Sequence, residues 1–143
     1  MSHSLPARGS LLAWLALSAG LAAGGCGGSN DGGDRPSGDE ASVRRVLSDL
    51  QAAAVAGDGT RICRQIFTPK LAQSVAASSK SGSCAEEVRR NLFSPTTRLT
   101  VQRVTIADDT NATATVTEAS RKTSTVFLVR QSGRWRIRSI QPA

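Results

Sequence analysis

The sequence predicts an α+β domain, with N-terminal helices packed on a four-stranded antiparallel sheet. Two observations carry this. Between residues 40 and 93 the apolar side chains recur at helical spacing, and from Arg98 onward they alternate with period two. Helices first and a run of strands after is the order of an α+β fold, not of alternating strand–helix units. At 143 residues and 39% hydrophobic content, the chain can bury one modest core.

The first helix is expected over Glu40–Ala56, where Val43, Val46, Leu47, Leu50 and Ala54 form one apolar stripe. Asp39, Glu40 or Ser42 would cap or charge its start, and Gly57 would end it. Asp58 or Thr60 then opens a shorter helix with Ile62, Cys63, Ile66 and Phe67 inward. Thr68-Pro69 is a cap followed by proline at the first helical position, with Leu71, Ala72 and Val75 facing the core. After a loop at 78–82, Ser83-Cys84-Ala85-Glu86 matches a capping box, and Cys84, Val88 and Leu92 share one face of a helix running to about Phe93. Ser94-Pro95 breaks it.

The strands follow. Leu99–Ala107 is rich in Val, Thr and Ile, and its alternation slips between Val101 and Val104, which predicts a bulge. Asp108-Asp109-Thr110-Asn111 is a turn, and Ala112–Glu118 alternates Ala, Ala and Val against three threonines. A third strand spans Thr123–Arg130. Residues 131–134 turn the hairpin, and Trp135–Ile140 is the fourth strand, with Trp135, Ile137 and Ser139 assigned to one face.

The N-terminus reads as an export signal over residues 1–25. Leu11–Ala23 is a mostly apolar stretch of thirteen residues. As a helix it would span about 20 Å, short of the ~30 Å hydrocarbon core of a bilayer. Ala23-Gly24-Gly25-Cys26 follows it and resembles the lipobox of bacterial lipoproteins, with Ala23 where that family usually has Leu. The resemblance implies that Cys26 receives a diacylglyceryl group and becomes the new N-terminus. The expected location is then outside the cell, with acyl chains holding the protein to the outer face of the cell membrane or another envelope membrane. Residues 26–40 read as the lipidated cysteine and a Gly/Asp-rich flexible tether. Its last fourteen residues carry a root-mean-square reach of about 20 Å. The folded domain is drawn at 41–143.

Three cysteines in an exported chain leave one odd. Lipidation of Cys26 restores parity and leaves Cys63 and Cys84 to bridge, as oxidising compartments permit. Two cysteines without a C-x-x-C spacing do not make a zinc site, so no metal and no other cofactor is expected.

The helix ending in Ala56-Gly57-Asp58, the short helix before Phe67-Thr68-Pro69, and the hairpin Gly133-Arg134-Trp135-Arg136-Ile137 are similar to the nuclear transport factor two-like superfamily, closest to its small bacterial lipoprotein branch. The likeness covers roughly 41–141. It implies a curved sheet wrapped around helices as a cone, with a pocket at its open end. It also leaves a homodimer through the sheet open. Because the superfamily hosts enzymes, binding modules and dimerisation domains, it does not fix a function.

Candidate chemistry is sparse. His3 is the only histidine and tyrosine is absent, so 41–143 carries no His- or Tyr-based constellation. Its acids are Asp49, Asp58, Glu86, Glu87, Asp108, Asp109 and Glu118, of which Glu118 alone sits at a strand end and is expected to face any cavity there. The same segment holds 16 basic residues, among them Arg89-Arg90, Arg121-Lys122 and Arg134, Arg136 and Arg138. No aromatic platform accompanies them, which argues against nucleic acid. The expectation is a non-catalytic domain that binds a small ligand or envelope protein. The alternatives are a small enzyme on an apolar ligand with Glu118 as base, or a basic adaptor for anionic envelope polymers.

Overall fold

A computed structural model describes residues 37–143. The signal segment at 1–25, the lipidation site Cys26 and most of the stretch read as a tether lie outside the described residues. Four helices precede a four-stranded antiparallel sheet of order β1-β2-β3-β4, as the sequence predicts.

Helix α1 runs Gly38–Val55, beginning inside the stretch assigned to the tether. Its cap is neither Asp39, Glu40 nor Ser42. Ser37 takes that place, its hydroxyl accepting from the Glu40 N–H at 3.1 Å. Asp39 and Glu40 instead sit in the first turn, where carboxylates favour the helix dipole. Val43, Leu47, Leu50, Ala53 and Ala54 are buried, and Gly57 stops the helix at φ +67°.

Asp58 caps α2 (Gly59–Arg61), accepting from the Arg61 N–H at 2.9 Å. The chain then loosens into a π-helical turn, Ile62–Ile66, closed by the Phe67 N–H on the Ile62 carbonyl at 2.8 Å. Helix α3 spans Pro69–Ser78 under the Thr68 cap. Its Leu71, Ala72 and Val75 are half-buried, not sealed in the core. Helix α4 (Cys84–Glu87) passes into a second π turn, Val88–Leu92. The wider turn rotates the chain after Val88. Val88 is buried as expected, but Leu92 turns outward and is 48% exposed. The expected capping box is half-formed. Ser83 accepts from the Glu86 N–H, while its own N–H goes to Ser79 Oγ and the Glu86 carboxylate pairs with Arg90 at 3.2 Å.

The sheet comprises β1 (Leu99–Ile106), β2 (Asn111–Glu118), β3 (Thr123–Gln131) and β4 (Arg134–Pro142). A register shift between Val101 and Arg103 is the expected bulge, and it keeps Val101 and Val104 on the inner face opposite Val116 and Ala114. A second shift, which the sequence does not predict, lies in the β3–β4 pairing. Phe127 pairs with Ser139 and Leu128 with Ile137, so Arg138 is the extra residue. Beyond it Ser139 falls on the outer face with Phe127, not beside Trp135 and Ile137, and Ile140 takes the inner position opposite Val126. The β3–β4 turn places Ser132 at φ +50° and Gly133 at +74°, which gives the twist a two-residue hairpin needs.

The core lies between α1, the first π turn and the inner sheet face. Val43, Leu47, Leu50, Ile62, Ile66 and Phe67 meet Ala112, Ala114, Val116, Val126, Leu128 and Ile137. Cys63 and Cys84 form a disulfide, with Cα atoms 6.2 Å apart. It ties the first π turn to the start of α4. Beside it, Gly59 is buried against α4, and a Cβ there would meet the Ala85 backbone, its carbonyl carbon at 2.9 Å.

Non-reducing peptide mass spectrometry of the native protein should show the 63–84 cross-link, and two free alkylatable thiols would contradict it. Removing the bridge by Cys63→Ala with Cys84→Ala should cost about 3 kcal/mol in chemical denaturation. Gly59→Ala should cost about 1–3 kcal/mol in the same assay, because backbone and not a flexible side chain must give way.

Candidate functional site

The seam between helices and sheet runs along β4. The Thr68 N–H donates to the Ile137 carbonyl at 2.8 Å, and Phe67 bridges the same residue in parallel. The Arg136 guanidinium donates to the carbonyls of Arg64 at 2.9 Å and Phe67 at 3.1 Å. Arg136, one of the basic residues of the sequence, here closes the end of a helical turn. On either side of this seam lies a cleft, one at each end of the β3–β4 ladder.

The first cleft opens near the start of β3, at Ser124, and the end of β4, at Pro142. It holds about 330 Å³ and is lined by Phe67, Leu71, Val75, Leu92, Phe93 and Ile140, with Glu118 and Ser124 beside them. Leu92 and Ile140 are two of the three large apolar side chains exposed among the described residues, at 48% and 38%. Both arrive here through local irregularities, Leu92 by the π turn and Ile140 by the Arg138 bulge. Glu118 therefore does border a cavity, as its position suggested. Its carboxylate is exposed and accepts one hydroxyl, from Ser120 at 3.3 Å.

The second cleft lies at the hairpin end, against the first half of α1. It holds about 580 Å³. Arg45, Arg61, Arg130 and Arg134 line it with Asp39 and Asp49. Asp39 pairs with Arg130, and Asp49 with Arg61 at 3.1 Å. The Arg130 guanidinium also lies over the Trp135 ring, 4.6 Å from its centre. Trp135 is the expected core anchor, buried among the strand residues. Its indole N–H, however, has no acceptor among the described residues, a condition that costs about 1–3 kcal/mol unless an acceptor reaches it. Arg45 and Arg134 likewise have no carboxylate partner among the described residues.

Several of the other acids do structural work. Asp58 caps a helix, Glu86 pairs with Arg90, and Asp49 with Arg61. Asp108 organises the β1–β2 turn. Its Oδ1 accepts from the Thr110 N–H and hydroxyl at 2.7 Å each, the Asn111 N–H at 2.8 Å and the Asn111 amide at 3.1 Å. These bonds, the Thr110 hydroxyl first, lower its pKa from 3.8 to about 2. Among the described residues no group of three or more His, Cys, Asp or Glu could hold a metal ion, and no helix is long and apolar enough to cross a membrane.

The depressed Asp108 pKa sets a sign. Its contribution to stability is present above pH 3.8 and is lost as pH falls through about 2. Carbonyl NMR should titrate Asp108 near pH 2, and Asp108→Asn should flatten the stability profile across that window. A midpoint near 4 would refute the turn geometry.

Compared with protein-family models, with curated proteins and with solved structures, the chain matches none.

Proposed function

We propose that this chain is an exported lipoprotein, held to the outer face of a cell-envelope membrane by acyl chains on Cys26. Its α+β domain then binds an apolar or amphiphilic ligand in the cleft beside Glu118 without transforming it. What supports export is the apolar stretch Leu11–Ala23 followed by Ala23-Gly24-Gly25-Cys26, together with a Cys63–Cys84 bridge that leaves Cys26 as the odd thiol. In this reading the sheet wraps the helices as the cone of the nuclear transport factor two-like superfamily, and the apolar cleft is its open end.

The observation that carries ligand binding is the meeting of Leu92 and Ile140 at one cavity. Two irregularities of the backbone turn large apolar side chains into one mouth, with Glu118 and Ser124 supplying polar atoms at its border. A concave, mostly apolar site with few polar groups is the usual form of a small-molecule site. What supports binding without catalysis is the company of Glu118, since a general base needs an acid or oxyanion donor opposite it. Here the carboxylate has a serine hydroxyl at 3.3 Å.

Intact-mass measurement of the membrane-extracted protein should show acyl chains that disappear with Cys26→Ala. An unmodified, freely released protein would overturn the anchor. For the cleft, N-phenyl-1-naphthylamine should bind with enhanced fluorescence. Ile140→Glu should weaken that binding at least about tenfold by placing a charge in an apolar mouth, while Leu92→Met should retain it. Turnover of a bound amphiphile that vanishes with Glu118→Gln would favour the enzymatic reading instead.

A further inference from the structure

Among the described residues, the charged groups of the hairpin-end cleft left without a partner are cations. Arg130 and Arg61 are neutralised by Asp39 and Asp49, but Arg45 and Arg134 bring two further positive charges beside the Trp135 ring. Asp39 and Asp49 hold the first two guanidiniums in place, so the cleft keeps its shape while its net charge stays near +2. Arg134 also lines an adjoining hollow with Arg64 and Arg136. Of the six arginines at this end of the sheet, Arg61, Arg130 and Arg136 are engaged by Asp49, Asp39 and the seam carbonyls, which leaves Arg45, Arg64 and Arg134 without an acceptor among the described residues. Guanidinium groups match phosphate oxygens, which accept two N–H bonds from each planar fork.

The chain's covalent path says where such phosphates would come from. Ser37 is the first described residue, and Asp39 already lines the cleft. Cys26 lies eleven residues before Ser37. Even fully extended, that stretch spans at most about 40 Å. A lipid-anchored Cys26 would thus keep the arginine end of the sheet on a short leash from a bilayer surface. We propose that the cleft lined by Arg45, Arg130, Arg134 and Trp135 binds the phosphate-bearing headgroups of an anionic membrane, as a second contact beside the acyl anchor. The diacylglyceryl anchor already carries two chains, and a basic patch adds electrostatic attraction that turns this end of the domain toward an anionic surface. The inference rests on the anchor proposed above for the source of the phosphates.

Trp135 supplies the test, because Trp14 is the only other tryptophan. With Trp14→Phe in the full chain, indole emission reports the cleft alone. The chain is mixed with phosphatidylcholine vesicles containing, or lacking, one third phosphatidylglycerol. Trp135 emission should change only on the anionic vesicles, and salt at about 0.5 M should suppress the change. Arg45→Gln with Arg134→Gln should weaken the anionic response about 30-fold, the effect of two basic residues at an anionic surface. The charge-keeping pair Arg45→Lys with Arg134→Lys should restore most of it, and thermal unfolding should show that each variant folds. An equal response on both vesicles, a double variant indistinguishable from the parent, or a response to inorganic phosphate without one to anionic vesicles would overturn the proposal. The mass of the same preparation reports Cys26 acylation independently, so the two readings fail separately.

Discussion

The seam at Phe67-Thr68 and Ile137 is the contact on which the rest of the domain depends. One backbone bond, one parallel bridge and the Arg136 fork fix the helical half against β4. Two consecutive residues then serve opposite sides. Ile66 borders the arginine-lined cleft and Phe67 the apolar one. Both are buried, so neither cleft reaches the other through the core. A shift of this seam would open or close both clefts together. The π turn that precedes it is held in turn by the Cys63–Cys84 bridge and by the close approach of Gly59 to Ala85. The disulfide thus acts at a distance from both sites, by fixing the turn that delivers Ile66 and Phe67.

Much of this architecture was legible in the sequence because it follows from periodicity and caps. The stripe of Val43, Leu47 and Leu50 placed α1, Gly57 ended it, and Thr68-Pro69 opened α3. The slip between Val101 and Val104 gave the first bulge before any pairing was seen. What escaped has a common physical cause. Both π turns and the Arg138 bulge insert one residue into a regular ladder, and an insertion is visible in sequence only when the apolar pattern slips around it. In β1 the inner-face residues on either side of the inserted Gln102 are Val101 and Val104, so the slip shows. In β4 they are Ile137 and Ile140, but Ser139 between them reads equally well on either face and masks the slip. The start of α1 was misplaced for a related reason, because Ser37, Asp39, Glu40 and Ser42 all have side chains able to cap, and only geometry selects among them.

The candidate sites lie where those insertions fall. Without the π turn, Leu92 would continue the buried face of Cys84 and Val88. Without the Arg138 bulge, Ile140 would point to the outer face and Ser139 inward. Each irregularity withdraws an apolar side chain from the position its period assigns and delivers it to the same cavity. A β-bulge and a π turn both sacrifice regular backbone pairing, and both recur at functional sites because they re-aim side chains.

The two clefts also divide the chemistry of the sheet cleanly. At one end of the β3–β4 ladder the inner-face positions are Ser124, Ile140 and Pro142; at the other they are Arg130 and Trp135. The three arginines that alternate along β4 have three different surroundings. Arg138 lies over Phe127 on the outer face, Arg136 is consumed by the seam, and Arg134 lines the arginine-rich cleft with no carboxylate partner among the described residues. A single strand with one repeated residue type thus supplies a packing contact, a structural clamp and a cleft-lining charge, and only their partners distinguish them. That separation sets the arginine-lined end of the domain apart from the apolar end, and no lining side chain is shared between the two clefts.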